Sequence, residues 1–252
     1  MKRACFKVVL AILSLAAASG ARSDDAVPSL SAIVGGTTDY VYRGVSLNAE
    51  KPSPILYLEG TYASFYANVF MIGTELGSDA LGRGLGNLET DITAGYAPAI
   101  GDITLNFGAR YTAYLTGRDI IAGTLTHAER DFIEPFAGAK WTIGGKASIG
   151  ATVFWTPDYY NETGEVTTIE GQAAYLLPAI GPIQTKAVAT IGHAHSERRD
   201  IISPGHGYTY FNAGLEGQLD HLVFDLRYWD TDVEGLDLFG QRVVFSLGMK
   251  IP

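Results

Sequence analysis

The chain has 252 residues, 47% hydrophobic and only 18% charged, with 30 Gly and 14 Tyr, which excludes a disordered tail or a coiled coil and points to an all-β domain. Its formal charge of −9 comes from 18 Lys+Arg against 27 Asp+Glu, with no basic cluster of the kind a phosphate backbone requires, which argues against nucleic-acid binding. The lone cysteine, Cys5, supports neither a disulfide framework nor a thiolate metal site.

In chain order, residues 1–21 read as a cleavable secretory signal. Lys2, Arg3 and Lys7 precede the apolar run Val8 to Ala18, and the small residues Ala18-Ser19-Gly20-Ala21 follow it. That run is too short for a spanning helix, which needs about 20 apolar residues. Residues 22–252 then form one expected domain. No helical period persists there, whereas period-two alternation recurs throughout. Ile103, Leu105, Phe107, Ala109, Tyr111 and Ala113 share one strand face, opposite Thr104, Asn106, Gly108, Arg110, Thr112 and Tyr114. Val243, Phe245, Leu247, Met249 and Ile251 repeat the pattern near the C-terminus. Twelve strands are expected, starting near residues 31, 53, 62, 88, 102, 131, 146, 166, 183, 208, 221 and 240.

The connections alternate in length. Five are tight: Gly60-Thr61, Pro98 to Gly101, Gly144-Gly145, Pro178 to Pro182 and Leu219-Asp220. The six between them, near 43–52, 74–87, 116–130, 156–165, 193–207 and 230–239, are longer and polar. Such a meander gathers every long loop at one end, as in outer-membrane barrels with short periplasmic turns and long external loops. Aromatic residues follow the same geometry. On the apolar face, Tyr96, Trp141 and Tyr175 fall beside tight turns, and Tyr40, Tyr42, Tyr111, Trp155, Phe211 and Tyr228 beside long loops. Two aromatic belts flanking an apolar band suit two lipid interfaces.

The segment Thr38-Asp39-Tyr40-Val41-Tyr42-Arg43-Gly44-Val45-Ser46, followed by Lys51-Pro52, resembles the opening signature of the TorF-type porins, a proteobacterial family labelled Gcw_chp. Its signature positions are Asp39, Tyr40, Arg43, Gly44 and Ser46. Glu89 to Tyr96, Phe132 to Phe136, Pro157 to Tyr160, Tyr228 to Thr231 and Arg242 to Ser246 resemble later blocks in the same order. The resemblance implies an outer-membrane, porin-like barrel. Two departures are a third strand, Ala63 to Ile72, without the family's tryptophan, and the ending Lys250-Ile251-Pro252 in place of a terminal aromatic.

With the apolar faces turned to lipid, the opposite faces line a lumen. The expected pore-lining set is Glu89, Asp91, Arg110, Glu134, Lys140, Glu170, Lys186, Glu216, Asp225, Arg227 and Arg242, joined by Asp39, Glu59, Arg43 and Lys250. Acids and bases nearly balance, which suits either a narrow wet channel or an interior closed by ion pairs. The long loops carry fifteen acids against six bases. Asp158, Glu162 and Glu165 crowd one loop, and Asp230, Asp232, Glu234 and Asp237 another, making an acidic mouth that would concentrate cations.

Other chemistry is weaker. Asp230 to Gly235 resembles the start of a calcium loop, but position twelve is Gln241 rather than Glu. His193 and His195, at the start of a long loop with His206 across it, lack a complete ligand set. Ser196 and Ser203 near His195 and His206 suggest a lipid hydrolase but have no nucleophile elbow. The sequence therefore predicts an all-β, antiparallel, up-and-down transmembrane β-barrel of about twelve strands, without enzymatic activity, metal or cofactor. It would pass small solutes or ions by diffusion, with a possible preference for cations. The alternatives are a plugged structural or adhesive barrel and, less favoured, an outer-membrane lipid hydrolase. Expected partners are outer-membrane lipid, the permeating solutes or ions and the barrel-assembly machinery, with no nucleic acid. The residues do not specify an oligomeric state.

Overall fold

The computed structural model of the chain describes residues 27–75, 87–114, 119–121, 124–126, 130–160, 163–198 and 205–251. The expected signal at 1–21, together with Glu162 and Ser203, lies outside the described residues.

Twelve strands form the wall. They are β1 (Ser29–Thr37), β2 (Ser53–Tyr62), β3 (Phe65–Gly73), β4 (Leu88–Tyr96), β5 (Ile103–Tyr114) and β6 (Phe132–Ile143), then β7 (Ala147–Thr156), β8 (Val166–Leu176), β9 (Gln184–Ser196), β10 (Gly207–Leu219), β11 (Leu222–Thr231) and β12 (Arg242–Ile251). Each pairs antiparallel with the next, and β12 pairs back onto β1 from Ala32 opposite Ile251 to Thr37 opposite Ser246. The sheet is thereby a closed up-and-down barrel with no free edge. Among the described residues, the one helical element is a 3₁₀ turn at Asp237–Phe239.

The period-two pattern sorts the faces as a membrane barrel requires. Ile92, Phe107, Ile133, Ile149, Val153, Ile169, Ile191, Leu226, Phe245 and Leu247 are exposed on the outside. Thr93, Asn106, Thr112, Thr152, Thr168, Asn212 and Ser246 are buried inside. A soluble barrel has the reverse arrangement, and soluble monomers rarely expose a continuous apolar surface of this kind. Tyr96, Trp141 and Tyr175 ring the tight-turn end of the outer face, and Tyr111, Trp155, Phe211 and Tyr228 ring the long-loop end, all exposed.

Four local expectations change. The first tight turn is Ala63–Ser64 rather than Gly60-Thr61, with Ala63 at φ 52°. The last is Asp220–His221, with Asp220 at φ 51°. Strand β9 runs on to Ser196, so His193 and His195 belong to the wall and not to a loop. Tyr40 and Tyr42, expected in the outer belt, are buried, at 0% and 7% exposure, because the segment after β1 turns into the barrel.

Candidate functional site

The site is built on that inward turn. Val41 pairs with Ser46 and Tyr42 with Val45, leaving Arg43-Gly44 as a two-residue loop. Both loop residues have positive φ, 50° and 84°, as the tight hairpin turns matched to strand twist require. Gly44 meets a second demand. A Cβ there would sit 2.5 Å from Thr231 Cγ2 and 2.8 Å from Tyr210 Cβ, so only glycine lets the tip approach the β10–β11 wall.

The hairpin makes one buried contact after another around the barrel wall. At its base, Asp39 accepts the Ser46 hydroxyl at 2.8 Å and lies 3.3 Å from Arg242. Tyr40 donates its O–H to Glu89 on β4. Tyr42 O receives Arg110 Nη2 of β5 at 2.5 Å. At the tip, both terminal nitrogens of Arg43 donate to the Glu134 carboxylate on β6, each at 2.9 Å, and its Nε lies 3.9 Å from Glu170 on β8. The guanidinium also lies 4.9 Å from the ring centre of Phe154 on β7. Contacts therefore reach β4, β5, β6, β7, β8, β10, β11 and β12, and the hairpin spans the interior.

Glu134 is the hub. It takes Arg43, Arg110 Nη2 at 2.5 Å and the Thr156 hydroxyl at 3.1 Å, while Arg110 Nη1 also lies 3.7 Å from Asp91. Strand register makes this possible, since Arg110 and Glu134 are directly opposed across β5 and β6. On the far wall, Tyr210 donates to Glu170, its ring lying over Gly192, where a Cβ would be 2.2 Å from the ring. In the loop after β7, Tyr159 packs on Phe132 with ring centres 4.8 Å apart. Burial pushes its phenol up to about 12, keeping it protonated at neutral pH.

Between the hairpin and the tight-turn end lies a cavity of about 260 Å³. Of the expected pore-lining set, Asp39, Asp91, Arg110, Lys140, Lys186, Glu216, Asp225 and Arg227 line it. Glu89, Glu134 and Glu170 face inward but are taken up by the hairpin network. Arg242 sits at the long-loop end, paired with Asp39 and Glu50, both at 3.3 Å. In the lower lumen, Glu216 bridges Arg227 at 2.5 Å and Lys186 at 2.6 Å, and Asp225 holds Arg227 Nε at 2.9 Å.

The acidic loops lie at the rim. Asp158, Glu165, Asp232, Glu234 and Asp237 are exposed and Asp230 is half-buried. Three of these carboxylates also make local ties: Asp158 accepts Gly164 N–H within its loop, Asp232 accepts Thr209 N–H from β10, each at 2.8 Å, and Asp230 accepts the Tyr228 hydroxyl of β11 at 3.0 Å. Ser196 points inward at 1% exposure while His195 points outward, so the wall separates these two hydrolase candidates. His193, His195 and His206 form an outer-face stack, with neighbouring ring centres 6.5 and 6.2 Å apart.

Sequence reasoning carried Asp39 and Tyr40 on as part of the first strand, put Gly44 and Ser46 in the long connection near 43–52, and missed the hairpin. The available signal was Arg43-Gly44 itself, a two-residue break between alternating flanks.

The family described as a bacterial protein of unknown function (Gcw_chp) matches residues 21–249. No curated protein matches in sequence. Among solved structures, the fold is similar to the KdgM porin, with a TM-score of 0.56 at 8% identity over 88% of this chain and 98% of that one. The NanC porin gives 0.55 at 11% identity, over 89% and 100%. The COG4313 outer membrane channel of Pseudomonas putida F1 gives 0.51 at 12% identity, over 94% and 99%.

Proposed function

The chain belongs to the Gcw_chp family, and we propose that it is an outer-membrane channel for passive diffusion of small solutes or ions, narrowed by its own inner hairpin. The observation that carries this reading is the cavity of about 260 Å³, whose lining includes acidic and basic side chains inside a wall whose outer face is apolar. Charged groups facing lipid would be costly, whereas a wet lumen tolerates them. The barrel shape shared with two porins and a channel agrees with it at the level of fold. The resemblance to TorF-type porins points the same way. In this reading residues 1–21 are removed on export, the barrel-assembly machinery inserts residues 22–252, and the cavity-lining residues from Asp91 to Arg227 form the pore.

The acidic rim supports a cation preference at low ionic strength. Exposed charge is screened over about 8 Å at physiological salt, so the rim biases entry and does not act as a filter. Single-channel recording of the refolded protein in planar bilayers, with potassium and chloride gradients, tests the reading. Steps of discrete conductance are expected, and a silent, correctly folded barrel would overturn it.

A second reading, a plugged structural or adhesive barrel, is favoured by the hairpin and its ion pairs. Against permanent closure, Arg43 Nε and Arg110 Nε and Nη1 are buried without a hydrogen-bond acceptor. Unsatisfied buried donors are costly, and they lower the free energy needed to withdraw the hairpin.

A further inference from the structure

We infer that the lower lumen holds a binding site for a small carboxylate solute, centred on Lys140. This deepens the channel reading by naming a class of solute, and rests on it only for how the solute arrives.

The inward-facing cations of this barrel are almost all committed. Arg43 and Arg110 are held by Glu134, Arg227 by Glu216 and Asp225, Lys186 by Glu216, and Arg242 by Asp39. Lys140 lines the same cavity, yet among the described residues no carboxylate lies within ion-pair range of it. Glu59, the remaining acid at this end of the wall, receives the Tyr57 hydroxyl at 2.8 Å and does not line the cavity. The lower lumen therefore presents one uncompensated ammonium to its contents.

The register provides room beside that ammonium. Lys140 on β6 stands opposite Gly150 on β7, and Gly150 stands opposite Gln172 on β8. Gly150 itself lines the cavity, so the open space reaches the backbone between these two polar neighbours. Gln172 spends its amide N–H on Glu170 at 2.9 Å, which leaves its carbonyl oxygen buried without a partner. The Ser148 hydroxyl lines the same wall. A carboxylate on Lys140 with an adjacent hydroxyl reaching the Gln172 oxygen satisfies both spare groups. Neither a simple cation nor a neutral solute does.

This site and the acidic rim carry opposite spare charge, but they act over different ranges. The rim works through solvent and fades as salt rises. The ammonium works by contact inside a shielded lumen, where a charge-assisted hydrogen bond persists at physiological salt.

The test is calorimetric titration of the refolded barrel in detergent, which needs no conduction. The probe is lactate, and its neutral counterpart is propane-1,2-diol. Saturable lactate binding is expected, weakened about tenfold or more by Lys140→Gln and unchanged by Lys146→Gln, an exposed turn lysine. Folding of each variant is checked by the heat-dependent gel mobility of a closed barrel. Absent saturable binding, equal binding by Lys140→Gln, or equal binding of the diol would overturn the site. A barrel that binds lactate but never conducts would overturn the channel reading and leave the site standing. One that conducts without binding would do the opposite.

Discussion

Arg43 and Glu134 meet inside the barrel through two parallel N–H to oxygen contacts, each 2.9 Å long, although one residue is on a loop after the first strand and the other on the sixth. The fork geometry is the strong form of an ion pair, and it fixes where the hairpin tip lies.

Replacing Arg43 with Gln should release the tip. Removing one partner of a buried pair costs about 3 kcal/mol or more, somewhat relieved here because Glu134 keeps Arg110 at 2.5 Å. The expected outcome is a lower urea midpoint with larger and noisier single-channel steps. Unaltered conductance with unaltered stability would show that the hairpin neither narrows the lumen nor supports the wall.

Glu134→Gln should do more damage than Arg43→Gln, since two buried guanidinium groups lose their common carboxylate. A double-mutant cycle on Arg43 and Glu134 should return a coupling of about 1–3 kcal/mol, measured by urea unfolding in detergent micelles. Additive effects would contradict the contact.

Much of the wall is legible in the sequence, because a barrel face is set by single-residue alternation and loop length, both local properties. The inner hairpin was not. Alternation continues from β1 as far as Tyr42, so Tyr40 and Tyr42 look like the next outward rungs. Their true partners, Glu89 on β4 and Arg110 on β5, are far along the chain, and no local pattern encodes such pairing. The same reasoning explains the misplaced first turn. Gly60-Thr61 has the composition of a turn, whereas Ala63–Ser64 adopts one against its own propensity, with Ala63 in the left-handed region. The tyrosine at Glu89 and the split of the inward charges into a hairpin network and an open cavity likewise depend on where the hairpin ends.

Neutralising the rim should reduce cation preference at low salt only. Asn at Asp158, Asp230, Asp232 and Asp237, with Gln at Glu165 and Glu234, removes charge while leaving an acceptor oxygen for the backbone N–H contacts of Asp158 and Asp232. Reversal potentials should shift toward neutrality at 0.01 M salt, where the screening length is about 30 Å, and barely move at 1 M, where it is about 3 Å. An unchanged preference at low salt would place selectivity wholly in the lumen.

Leu226 faces outward near the middle of β11, 44% exposed, next to inward Arg227 at 3%. Leu226→Arg should cost about 2–4 kcal/mol in lipid vesicles, read from the unfolding midpoint. A neutral outcome would mean that this face does not meet hydrocarbon.

The seam between β1 and β12 joins the two ends of the wall, and this has a consequence for the order of assembly. The hairpin is synthesised directly after β1, yet Glu89, Arg110, Glu134 and Arg242 arrive on later strands, the last on β12 itself. Contacts between residues so far apart in the chain form late. Seating Arg43 on Glu134 therefore waits for the sixth strand, and joining Asp39 to Arg242 waits for the twelfth, so the signature segment completes its contacts only when the last strand is in place.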